Sequence, residues 1–176
     1  DVFLVGMVAA NKGSSPARKG WDEAVQAFAE FHRQHPDSRL YLHTELQAAI
    51  GLHLPTLVQA CGIPAEAVIA CDQYRYIVGA YPPEYLALAY SAMDVLLNPA
   101  YGEGFGIPIV ESQACGTPVV ATDWTAMPEL VGAGWLVDGD RLWTAQGSWW
   151  KRPRVGEIVE ALEEAYAEQG KHGKTA

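Results

Sequence analysis

Short apolar runs alternate along the chain with segments whose apolar residues recur at helical spacing, and no other feature limits the possible folds as sharply. Residues 2–9 are apolar almost without a break, and "RLYLHT", "AVIAC", "DVLLNP", "TPVVATD" and "GWLVDG" follow at intervals. Runs of this kind read as strands buried on both faces. After the first of them, Trp21, Ala24, Val25, Phe28 and Phe31 mark one face of a helix. "LPTLVQACG" predicts a short helix stopped by Gly62, and Pro82 and Pro83 open another with Leu86, Ala89, Tyr90 and Met93 on one face. A last helix is expected over residues 155–167, with Val155, Ile158, Val159, Leu162 and Tyr166 inward. Strands alternating with helices imply an α/β fold: a doubly wound, mainly parallel sheet with helices on both faces. "MPELVG" is expected to be a turn, "GWLVDG" the last strand, and residues 139–153 a tryptophan-rich loop.

At 176 residues, 49% hydrophobic and 19% charged, the chain fits a single globular domain, residues 1–176, with a real core. It opens at Asp1 as though already inside a strand, so a fragment of a longer protein is expected. The longest apolar run is too short to span a bilayer, and no leader peptide is recognisable. A net charge of −9 argues against a nucleic-acid partner but leaves room for a small anion held by local cations. Cys61, Cys71 and Cys115 follow no metal-binding spacing and read as reduced thiols of a cytoplasmic protein. His32, His35, His43, His53 and His172 form no metal-binding pattern and are expected on the surface or in loops. The "DGD" at 138–140 reads as a plain turn, so no metal site is expected.

Parallel sheets bind ligands at the carboxyl ends of their strands. That rule selects two loops: one after the first strand, carrying Lys12, Arg18 and Lys19, and one holding Glu103. In the second, "EGFGIPIVESQACGTPVV", Gly102, Gly104 and Gly106 permit left-handed turns and leave backbone amides bare. A helix starting near Ile107 or Pro108 adds the positive end of its dipole, which makes a seat for phosphate. Glu111, about one turn inside that helix, leans back toward the same seat. A carboxylate accepts hydrogen bonds from vicinal hydroxyls, so a ribose or a hexose fits each glutamate. The bland alternative is a helix-dipole role for Glu111 and a solvated loop acid at Glu103.

The string "EGFGIPIVESQACGTPVVATDWTAMPEL" resembles the C-terminal nucleotide-sugar-binding domain of retaining GT-B glycosyltransferases, the large group called family 4. "AYSAMDVLLNPAYGEGFG" and "KGWDEAVQAFAEF" are similar to that family's approach to the motif and to its first helix. The resemblance implies a Rossmann-like half of a GT-B enzyme that lacks here its N-terminal acceptor domain. It further implies that Glu103 contacts hydroxyls of the donor sugar and Glu111 the ribose of its nucleotide. The amides of Gly104, Phe105, Gly106 and Ile107 would help hold the diphosphate. The donor would be a UDP-, GDP- or ADP-linked sugar, with no cofactor and no metal. The family's pattern in the first loop is Gly-Arg, a few residues, then Lys-Gly. Here Met7 stands where the arginine is expected. Lys12 has the family's distance from that position and is taken first; Lys19 has the family's distance to the following helix. Arg18 is the candidate to replace the missing arginine.

Base recognition is expected in "DQYRYIVGAYPPEY", where Tyr74, Arg75 and Tyr76 are candidates unless they pack on the core. Trp143, Trp149 and Trp150 would form a sugar platform, cover the sheet edge, or dock on the missing domain. The rivals are another enzyme on the same architecture, such as a nucleotide-sugar epimerase or a glucan phosphorylase, and a non-catalytic nucleotide-binding or scaffold domain. A generic flavodoxin-like fold leaves the paired glutamates unexplained. Peripheral membrane contact would come only through a longer protein.

Overall fold

The computed structural model describes residues 2–13 and 16–171. The expected strand start at Asp1 and the placement of His172 lie outside them. Six parallel strands run in the order β3-β2-β1-β4-β5-β6. They are β1 (Phe3–Val8), β2 (Ser38–His43), β3 (Val68–Ala70), β4 (Val95–Asn98), β5 (Val119–Thr122) and β6 (Gly134–Val137). Among the described residues seven α-helices accompany them: α1 (Trp21–Gln34), α2 (Leu54–Ala60), α3 (Gln73–Ile77), α4 (Pro83–Ala92), α5 (Ile107–Ala114), α6 (Met127–Leu130) and α7 (Val155–Lys171). This is the doubly wound order, with its reversal between β1 and β4.

The continuous apolar runs are explained by two cores, one on each face of the sheet. Phe3, Val5 and Met7 of β1 point to the first, with Leu40 and Leu42 of β2 and Val95 and Leu97 of β4. Helix α1 closes that face with Trp21, Phe28 and Phe31, and α7 with Ile158 and Leu162. Val8, Leu96, Val119 and Ala121 point the other way, to Tyr90 of α4, Ile109 of α5 and Met127. Successive side chains of a strand face opposite sides, so a run with both sides covered has no polar positions to spare. All three cysteines are free, and burial pushes the thiols of Cys61 and Cys71 up.

Several expectations are corrected. Residues 139–153 are not a loop: β7 (Gly139–Trp143) and β8 (Trp149–Pro153) pair antiparallel, with Leu142 opposite Trp150 and Trp143 opposite Trp149. Gly147 at φ 72° lies in the turn that closes the hairpin. β6 is therefore not the last strand, and "DGD" is not a plain turn. Asp138 links β6 to β7 and accepts from Lys151 Nζ at 2.8 Å and Arg154 Nη2 at 2.8 Å. "MPEL" is a short helix, and α3, capped by the Asp72 carboxylate on the Arg75 N–H, was not foreseen. His53 is exposed, as expected, and caps α2, but three other histidines are less exposed than expected. His32, His35 and His43 are half-buried, and His43 ends β2 among Tyr76, Tyr81 and Tyr85.

Candidate functional site

The site forms where the sheet order reverses, from the loops leaving the carboxyl ends of β1 and β4. The two loops are joined to each other directly. Gly20, at φ 69°, precedes α1, and a Cβ there would stand 2.1 Å from the carbonyl oxygen of Pro99. Only glycine tolerates both the dihedral and the approach. Close by, the Tyr101 N–H donates to Arg18 O at 2.8 Å.

That junction delivers two cations to one acid. Arg18 Nη1 donates to Gly102 O at 2.6 Å and to Glu103 Oε2 at 3.2 Å. Lys19 Nζ contacts Glu103 Oε1 closely. The Glu103 side chain is only 9% exposed although its loop faces solvent. Thr125 fixes it from a third side, its Oγ1 accepting the Glu103 N–H at 3.0 Å. Thr125 itself sits at φ 54°, a left-handed conformation that β-branched residues rarely adopt.

Gly106, at φ 100°, turns the loop into α5 without a side-chain cap. Among the described residues the backbone N–H groups of Gly104, Phe105 and Gly106 donate no hydrogen bond. With the first amide of α5, from Ile107, they form a bare positive helix end beside two cations. Phe105 and Ile107 are exposed on the same rim. Glu111 is exposed on the second turn of α5, and Tyr90 Oη donates to its Oε2 at 3.0 Å. Burial and the neighbouring carboxylate push the Tyr90 hydroxyl well up, so it remains a donor.

The other expected residues are placed differently. Lys12 is exposed and meets neither glutamate among the described residues. It lines, with Arg18, Leu142, Trp143 and Trp150, a cavity of about 640 Å³ between the first loop and the hairpin. Met7 is fully buried in the first core, and Arg18 holds the loop. Tyr76 packs against the second core with its ring edge on His43, while Tyr74 is exposed. Trp143 and Trp149 stand edge-on to each other and are 61% and 54% exposed, and Trp150 packs on Tyr101. A larger cavity, about 720 Å³ beneath α2, is walled by Leu54, Val58, Ile63 and Val68 and holds no acid or base.

One group near the site was not foreseen. Glu23, 1% exposed, accepts from Tyr101 Oη at 2.6 Å and from Arg152 Nε, while Arg152 Nη2 reaches Asp22 Oδ2 at 3.2 Å. Burial foremost, and the adjacent Asp22 carboxyl, push the Glu23 carboxyl up to about 7. An acid in the first turn of a helix ordinarily complements its dipole, so the sequence carried no sign of burial.

Residues 4–148 match the family described as Glycosyl transferases group 1. A D-inositol 3-phosphate glycosyltransferase of Corynebacterium kroppenstedtii is 35% identical over 146 residues, covering 78% of this chain and 31% of the relative. The chain thus spans about a third of that protein's length. A sucrose-phosphate synthase of Thermosynechococcus elongatus superposes with a TM-score of 0.71 at 27% identity, covering 97% of this chain and 37% of the other. The C-terminal domain of a glycosyl transferase group 1 family protein from Francisella tularensis superposes with a TM-score of 0.71 at 19% identity. The match covers 96% of this chain and 77% of that one, and at this identity it speaks for the fold.

Proposed function

The chain belongs to the group 1 glycosyltransferases, and from that premise we propose that it is the donor-binding half of a retaining, metal-independent GT-B enzyme. The observation that carries the proposal is Glu103 held by Arg18 and Lys19 beside an uncapped helix start. One carboxylate set against two cations leaves positive charge for an anion, and the free amides of Gly104, Phe105 and Gly106 lie beside it. A nucleoside diphosphate fits that surplus.

In this reading the diphosphate of a UDP-, GDP- or ADP-linked sugar lies against Lys19, Arg18 and the start of α5. As the glycosidic bond breaks, negative charge grows on the departing phosphate, and preorganised donors stabilise it most at that moment. Glu103, held by Lys19 and Arg18, accepts from hydroxyls of the sugar and orients it. Glu111 keeps one oxygen for the ribose while Tyr90 holds the other. Lys19 takes the leaving-group role in preference to Lys12, because Lys19 meets Glu103 and Lys12 does not. The stabilising charge comes from side chains and amides, so the reading invokes no divalent ion and no cofactor. The acceptor and the second wall of the cleft belong to an N-terminal domain, and the present chain alone binds donor without transferring sugar. No helix among the described residues is long and apolar enough to cross a membrane, and a cytoplasmic setting is part of the proposal.

Calorimetric titration of the chain with UDP, GDP and ADP, without added metal, tests it. Saturable binding of one nucleotide, weakened by Glu111→Ala, is expected. Failure of all three to bind at millimolar concentration overturns the reading for this chain.

A further inference from the structure

Two carboxyl groups and one guanidinium meet behind the Glu103 loop, and their charges do not match. Arg152 reaches both Asp22 and Glu23. Glu23 Oε1 accepts from Tyr101 and Arg152, but Glu23 Oε2 and Asp22 Oδ1 are buried without partners. Neither oxygen can donate to the other while both acids are ionised. The two side chains interact, and a single proton shared between them lets one carboxyl donate to the other and leaves one negative charge opposite Arg152. The groups facing Glu23 are Asp22 on α1, Tyr101 on the site loop and Arg152 on β8. This is the environment that pushes its carboxyl up to about 7.

Tyr101 is the joint of the assembly. Its N–H donates to Arg18 O at 2.8 Å, its carbonyl accepts the Lys151 N–H at 2.9 Å, and its hydroxyl ends on Glu23. Three segments therefore grip one residue: the β1 loop, the β8 strand and α1. Two residues later the chain carries Glu103. We propose that Glu23 is a positioning residue that acts through Tyr101, locking the Glu103 loop to the β7–β8 hairpin and to α1. For catalysis this rests on the donor-site reading, but the mechanical link stands or falls without any nucleotide. The hairpin so acquires a purpose: Arg152 completes the lock from the far side.

The test follows backbone amide resonances of Gly102, Glu103 and Gly104 in the full chain from pH 5.5 to 8.5. In the wild type all three are expected to shift together with one midpoint near 7. Glu23→Gln should abolish that midpoint. Tyr101→Phe should abolish it at the loop while the Arg152 Nε–H resonance still titrates. Loop amides that ignore pH in the wild type, or a midpoint that survives Glu23→Gln, would overturn the proposal. A midpoint that persists in Tyr101→Phe would also overturn it, since the loop would then sense only the field of the charge. If Glu23→Gln does not fold, the Tyr101→Phe comparison decides alone. Failure to bind nucleotides refutes the donor reading and leaves these outcomes untouched.

Discussion

Glu103, two residues along the chain from Tyr101, and Glu23, at the Tyr101 hydroxyl, both have nearly buried side chains and solve the problem of a buried acid in opposite ways. Glu103 has two cations for one carboxylate. Glu23 has one guanidinium shared with a second carboxylate. The first arrangement carries spare positive charge; in the second, positive charge is short, and Glu23 itself is 1% exposed although Arg152 reaches solvent. A carboxylate with surplus cations leaves room for an anion, whereas a buried carboxylate short of them gains from a proton. The contrast supports the proposals that the Glu103 loop binds the ligand and that Glu23 has a supporting role, although both are glutamates beside the same tyrosine. A buried ion pair is weak evidence for stability by itself, so the excess of cations at Glu103 is consistent with the proposed ligand role and does not argue for a stabilising one.

The largest expected consequence is on stability against pH. Glu23 has an ordinary value of 4.5 and is raised in the fold to about 7. The folded protein therefore keeps a proton that the unfolded chain has released. Its contribution is fully present below 4.5 and is lost as pH rises through 7. Each tenfold difference in proton affinity between the folded and unfolded chain is worth about 1.4 kcal/mol, so the loss is about 3 kcal/mol. Denaturant unfolding of wild type and Glu23→Gln at several pH values isolates this contribution, and equal slopes would mean that Glu23 titrates normally. Arg152→Ala comes next. It leaves two facing carboxyls without their cation and should cost about 2 kcal/mol at pH 8, less than a fully buried pair would because Arg152 is half exposed. The cost should shrink at pH 5, where a proton replaces the guanidinium; a cost independent of pH would break the comparison. The smallest effect is expected at Glu111. Tyr90→Phe removes one hydrogen bond to an exposed carboxylate and should destabilise by about 1 kcal/mol or less, as read in thermal unfolding.

The parallel sheet was legible because burial on both faces forbids polar positions, and that pattern survives in a bare sequence. The Glu103 loop was singled out by its glycines, its place after the carboxyl end of a strand and its family resemblance, none of which shows that Arg18 and Lys19 meet Glu103. The hairpin was not, because most of its residues are aromatic or charged and its two five-residue strands, GDRLW and WWKRP, show no apolar–polar alternation. The choice between Lys12 and Lys19 was equally hidden. Spacing along the chain counts residues, whereas the contact of Gly20 with Pro99 determines which lysine arrives at Glu103. Glu23 illustrates the same limit, since its burial is created by β8, more than a hundred residues away.

The most direct test of the charge argument is nucleoside diphosphate affinity as the lysines are removed singly. Using the nucleotide that the wild type binds best, Lys19→Ala should raise Kd on the order of 10- to 100-fold, since a hydrogen bond to a charged group is worth about 1.5–3 kcal/mol. Lys12→Ala should change it far less. An unchanged Kd without Lys19, or a larger loss without Lys12, would contradict the assignment of the surplus charge to the pair gripping Glu103.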